Sequence, residues 1–182
     1  MSSPLRYGAV LAAALLAACV TTPTFVPAPA FELAGRIAVR YQERAFTGSL
    51  RWTQNAQGDD IWLSAPLGQT VARVQADAQG ATLTAADQKQ YRASSVESLT
   101  ESGLGWRFPL AGMRHWVLGQ PAPNLPLAGI ERDGANRLTR CAQGEWQVAF
   151  EYAAQGASHP SRIEAAGADA TIRLVVDSLS LQ

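Results

Sequence analysis

FELAGRIAVRY, residues 31–41, and AFTGSLRWTQ, residues 45–54, set the fold. In the first run Leu33, Ile37, Val39 and Tyr41 fall on one face, with Gly35 in their row. In the second, Phe46, Gly48, Leu50 and Trp52 share a face, and Thr47, Ser49, Arg51 and Thr53 point the other way. A period of two with one apolar side is the pattern of antiparallel strands covered on a single face. Downstream, NAQGDD reads as a turn, IWLS and TVARVQAD flank SAPLGQT (64–70), and QGATLTAA with KQYRA forms a further short hairpin turning at Asp87. Short strands at regular spacing predict a meander curling toward a barrel.

The middle of the chain changes period. SSVESLTESG has Ser94 and Glu97 in capping-box spacing and Gly103 as a stop, which predicts a short helix. PLAGMRHWVLG begins with Pro109 at a first helical position and ends at Gly119; Leu110, Met113 and Val117 share a face, with Trp116 beside them. After the Pro-rich QPAPNLP the strand pattern resumes in LAGIERD, NRLTRCA, EWQVAFEYA, SRIEAA and TIRLVVDSLSL. In EWQVAFEYA, Trp146, Val148, Phe150 and Tyr152 alternate cleanly. The expected architecture is mainly β with a few helices (α+β), the helices covering the concave apolar face of a curved sheet.

No catalytic constellation is present. His115 and His159 have no metal-ligand spacing to another His or a Cys, so no metal site is expected. There is no G-x-S-x-G elbow or Gly-rich phosphate loop, and no nucleophile–base pair for an esterase. Asp59-Asp60 follows Gly58 in a polar turn, and Arg36, Arg40 and Arg51 belong to a solvated strand face. What stands out is apolar. Phe46, Leu50, Trp52, Trp62, Leu110, Met113, Trp116, Val117, Trp146, Val148 and Phe150 are candidates to line a cavity or its lid, with Gly35 and Gly48 letting the sheet bend. Periodicity leaves a filled interior and an open one equally compatible. Within SAPLGQT, Ala65-Pro66-Leu67-Gly68 reads as a type I turn with Pro66 second and Gly68 fourth, which puts Leu67 at the tip. A leucine there either packs on a neighbour or offers an apolar contact outward.

Residues 1–18 have the form of a targeting segment: Arg6, then an apolar run from Tyr7 to Ala18 that is too short for a bilayer span of roughly 20 residues. LAAC, Leu16 to Cys19, resembles the lipobox of bacterial lipoproteins. That resemblance implies cleavage before Cys19, with S-diacylglycerol and N-acyl groups on it and no other cofactor. Several acyl chains together hold a protein on a membrane by tens of kcal/mol. Asp after the Cys is the inner-membrane retention signal of many such proteins; Val20 lacks it, which implies the outer membrane. VTTPTFVPAPA, residues 20–30, reads as an extended tether reaching up to roughly 30 Å. Residues 31–182, the rest of the roughly 160-residue mature chain, form one domain. With Cys19 lipidated, Cys141 is a lone thiol, read as a small hydrophobe. Without Arg6 the charges stand at 14 basic against 15 acidic, a balance of −1 that gives no case for nucleic acid.

AGRIAVR, GSLRW, LSAPLGQT and PLAGMRHWVLG with its Pro-rich loop, together with the lipobox, resemble the LolB family of outer-membrane lipoprotein receptors of Gram-negative bacteria. The resemblance covers about Phe31 to Leu181. It implies an incomplete, strongly curved antiparallel barrel with a helical lid over an apolar cavity. It implies a monomer that accepts lipoproteins from the periplasmic carrier LolA, takes up their acyl chains and inserts them into outer-membrane lipid. By match, Leu67 serves membrane insertion of the cargo. Family members often carry an extra helix before the first strand; with only the short segment between Cys19 and Phe31 that helix is expected to be absent here, and the lid to be smaller or to rest on residues 94–119 alone. The rival readings are an envelope lipoprotein that binds a small apolar ligand without transferring lipoproteins, and a structural lipoprotein with a filled interior.

Overall fold

A computed structural model describes residues 29–182; the signal segment, Cys19 and most of the tether lie outside the described residues. The chain forms one 11-stranded antiparallel sheet. The first six strands are β1 (Phe31–Tyr41), β2 (Arg44–Asn55), β3 (Gly58–Ser64), β4 (Thr70–Asp77), β5 (Gly80–Ala85) and β6 (Gln90–Ala93). Two helices follow, α1 (Val96–Leu104) and α2 (Leu110–Trp116). The last five strands are β7 (Leu127–Arg132), β8 (Leu138–Gln143), β9 (Trp146–Glu151), β10 (Arg162–Ala166) and β11 (Ala170–Leu181). Two meanders, β1–β6 and β7–β11, are joined by pairing of β1 with β11 along their whole lengths, from Phe31 opposite Leu181 to Tyr41 opposite Ala170. The spatial order is β6-β5-β4-β3-β2-β1-β11-β10-β9-β8-β7, so the sheet stays open between β6 and β7, and the segment linking those two edges carries both helices.

Alternation decides which side is inner. Leu33, Ile37 and Val39 of β1, Leu50 and Trp52 of β2, and Ile172 and Leu174 of β11 are all buried, while Arg36, Arg40, Arg51 and Arg173 face out. Gly35 and Gly48 keep their backbones close to neighbouring strands. A Cβ at Gly35 would lie 2.3 Å from the Val175 carbonyl oxygen, and one at Gly48 2.2 Å from that of Ser64. A register shift between Ala34 and Gly35 accompanies the first approach and adds local bend.

The helices occupy the inner side, with boundaries that depart from the sequence expectation. α1 is capped by Ser95, not Ser94: Ser95 is extended (φ −140°) and its Oγ accepts from the Ser98 amide at 3.2 Å. Glu97 therefore closes no capping box; its carboxylate accepts from the Ala111 amide at 3.5 Å and so reaches α2. The helix runs through Gly103 to Gly105, whose φ of +81° is the left-handed turn that ends it. Pro109 sits at the cap of α2 rather than inside it. LAGIER forms β7 as expected, but every residue of it is exposed because it is an edge strand with no neighbour beyond.

Candidate functional site

The inner side is largely filled. Leu50, Trp52, Leu110, Met113, Trp116, Val117, Trp146, Val148 and Phe150 are buried in a continuous core that spans the sheet and both helices. Phe31, Trp52, Phe108 and Trp106 pack edge-to-face in series, with centroids 4.9, 6.0 and 6.1 Å apart. Trp62 is a correction to the cavity candidates. On β3 the buried phase belongs to Ile61 and Leu63, so Trp62 lies on the outer face, 38 % exposed, beneath the Arg73 guanidinium at 4.5 Å. Phe46 is half-buried at the rim of the core.

Two polar clamps hold α2 across this apolar floor. The Asp59 carboxylate, its side chain 1 % exposed, accepts from the Trp52 indole at 2.9 Å and pairs with Arg114. Gln143 of β8 accepts from the Trp116 indole at 2.8 Å and from the Ala122 amide at 2.7 Å, and donates to the Ala122 carbonyl at 2.8 Å. The Arg114 Nε and the Gln54 Oε1, both buried, lack partners. Asp59 is thus no turn ornament but a buried anchor. No period in the sequence marks Asp59 or Gln143 as clamps, because their partners on α2 lie 55 and 27 residues away in the chain.

An apolar cleft of about 170 Å³ opens where α1 ends, between Val39, Phe46, Leu63 and Val71 of the sheet and Leu104 and Trp106 of the helical segment, with Arg44 and Tyr41 at its lip. Leu63 and Val71 bracket the SAPLGQT turn. That turn closes as expected, with the Gly68 amide donating to the Ala65 carbonyl at 2.8 Å and Gly68 at φ +85°. Pro66 and Gly68 fix its shape, and Leu67 projects from it 87 % exposed. The cleft and the leucine therefore share one end of the sheet.

Two partly buried titratable groups are shifted by their surroundings. Burial, then the Arg114 charge, pushes the His115 pKa down, and burial pushes the Cys141 thiol up to about 11. Among the described residues no cluster of three or more His, Cys, Asp or Glu could hold a metal ion, and no helix is long and apolar enough to cross a membrane.

A family model described as outer membrane lipoprotein LolB matches residues 29–178. The chain belongs to the LolB family. The chain is 39 % identical over 151 residues to the outer-membrane lipoprotein LolB of Nitrosomonas europaea, covering 81 % of this chain and 71 % of that one. It is 33 % identical over 175 residues to the LolB of Chromobacterium violaceum, covering 91 % and 93 %. A solved domain from Vibrio parahaemolyticus, described as an outer-membrane lipoprotein-sorting protein domain, superposes with a TM-score of 0.50 at 10 % identity over 85 % of this chain and 86 % of that one, a likeness of fold alone. LolB membership makes the protein an outer-membrane lipoprotein and a receptor of the Lol sorting system, working with lipoproteins and their carrier.

Proposed function

We propose that the domain of residues 31–182 receives the acyl chains of lipoproteins from LolA, shelters them under a lid formed by α1 and α2, and delivers them into outer-membrane lipid as a monomer. Residues 1–18 are removed, Cys19 carries the anchoring acyl groups, and residues 20–30 are the leash. The observation that carries this reading is the position of Leu67, fully presented at the turn whose two arms form walls of the apolar cleft. Burying one leucine contributes about 1.5–3 kcal/mol, too little to anchor a protein but enough for a transient touch on the bilayer that lowers the barrier to release. Acyl chains cost tens of kcal/mol to expose, so the chains have to pass from one apolar enclosure to the next without meeting water. No bond is made or broken, and no nucleotide is needed when transfer runs downhill in affinity. The cleft is small against ordinary ligand pockets of about 300–1,000 Å³, so loading has to widen it at the expense of the contacts between α1 and the sheet. The same smallness favours the second reading, a receptor for a small apolar ligand that hands nothing on.

Transfer of a purified lipoprotein from its LolA complex to outer-membrane vesicles separates the readings. Wild type is expected to take the cargo and insert it, and the Leu67→Glu variant to take it and stall. A wild-type protein that never accepts cargo sinks the transfer function and leaves the small-ligand reading. Equal insertion by both keeps the function and returns Leu67 to an ordinary exposed leucine.

A further inference from the structure

Arg44 opens β2 at the lip of the apolar cleft. Its guanidinium reaches the left-handed end of α1, where a Cβ at Gly105 would stand 3.5 Å from its Nη1. Eight arginines have carboxylate partners; Arg44, like Arg40, Arg51, Arg92 and Arg132, has none among the described residues, and of these five it is the one that lines the apolar cleft. An unpaired cation beside an otherwise apolar slot matches an amphiphile, with its tail in the slot and its oxygen-bearing head at the lip. At about 30 Å³ per water-sized element, the slot takes a short length of one chain rather than a whole lipid.

We propose that Arg44 is the head-group residue of the acyl site. One chain of the cargo lies along Val39, Phe46, Leu63 and Trp106, and the guanidinium donates to the ester or amide carbonyl oxygen joining that chain to the cargo's lipidated cysteine. This rests on the acyl-binding reading above. The guanidinium suits the task because its planar fork offers several donors in fixed directions and is more weakly hydrated than an ammonium. The lip lies at the Leu67 end, so the head of the bound lipid faces the membrane it is to enter.

The test measures equilibrium binding of three probes to the full domain: a palmitoylated cysteine lipopeptide, a single-chain lysophosphatidate and a pyrene-labelled alkane. Near-UV circular dichroism checks that each variant keeps its fold. Arg44→Gln is expected to weaken the lipopeptide roughly tenfold and leave the alkane within about twofold, and Arg44→Lys to restore only part of the loss. Equal loss for lipopeptide and alkane would make Arg44 a packing residue and overturn the proposal, as would no loss for either. Loss confined to the lysophosphatidate would assign the lip to a bilayer phospholipid instead of the cargo, again overturning it. Failure of the lipopeptide to bind wild type, with the alkane still bound, would remove the acyl-cargo reading beneath the proposal rather than the role of Arg44 alone.

Discussion

The two helices lie over the same apolar floor and are held there by different means. α2 is fastened to both halves of the sheet, through Arg114 to Asp59 on β3 and through Trp116 to Gln143 on β8, and every residue of its inward face is buried. α1 packs on β5 and β6, the outermost hairpin of the first meander, and its long-range polar links run to the chain just after it: Thr100 Oγ1 accepts from the Phe108 amide at 2.9 Å and Glu97 from the Ala111 amide. If the helices act as the proposed lid, opening is expected to start at α1 while α2 stays, because local opening favours the unit with few polar ties and an edge hairpin beneath it. The cleft lies where α1 ends, on the side that this hierarchy lets go first.

The comparison breaks most visibly at Trp116. Its ring is fully buried and its indole N–H is one of the two clamps. Trp116→Ala is expected to cost about 3–5 kcal/mol, measured as a drop in the urea midpoint with an unchanged slope. A cost near that of a surface substitution would mean that α2 is no strap. The next effect is smaller and belongs to α1. Ser95→Ala removes the cap on the Ser98 amide and is expected to cost about 1 kcal/mol. Hydrogen exchange sharpens the contrast: amides of residues 99–105 should exchange about fivefold faster in the variant, the factor that about 1 kcal/mol sets, while those of residues 113–119 keep their protection. Loosening of both segments together would show the helices to be one cooperative unit.

Much of this was legible in the sequence, and the misses share a cause. The strands came from a period of two, which survives because one face of the sheet is buried against the helices. The Leu67 turn came from Pro66 and Gly68, whose backbone preferences are local. Trp62 lies outside the cavity despite its bulk because phase decides the face, and Ile61 and Leu63 occupy the inner positions of β3. The α1 cap slipped by one residue because Ser94 and Ser95 are chemically equal and only the extended backbone at Ser95 chooses between them. The clamps at Asp59 and Gln143, and the cation at Arg44, were invisible because each depends on a partner or a surface that chain folding brings from far away. Whether the interior is filled or hollow is a matter of volume, and periodicity carries no volume.

The smallest expected effect tests the strap by acid. His115 lies on α2 next to Arg114, and burial first, then that neighbouring charge, holds its pKa below the usual histidine value. The folded protein therefore prefers the neutral ring, and the unfolded chain binds the extra proton as pH falls through the ordinary value of about 6.5. With more protons bound when unfolded, stability is full above that pH and declines below it. The urea midpoint should thus fall between pH 7 and pH 5.5 in the wild type, and His115→Gln should remove that fall while leaving the Asp60 contribution intact. The Asp60 carboxyl is itself held below its usual range, chiefly by the Arg73 hydrogen bond, so its share is present above about pH 4 and lost only in stronger acid. The two windows do not overlap, and that separation lets acid loosen the α2 strap without touching the outer face of the sheet. A wild-type midpoint that stays flat from pH 7 to 5.5 would mean that His115 takes up its proton as readily in the folded protein as in the unfolded chain, and that its burial on α2 does not disfavour the charged ring.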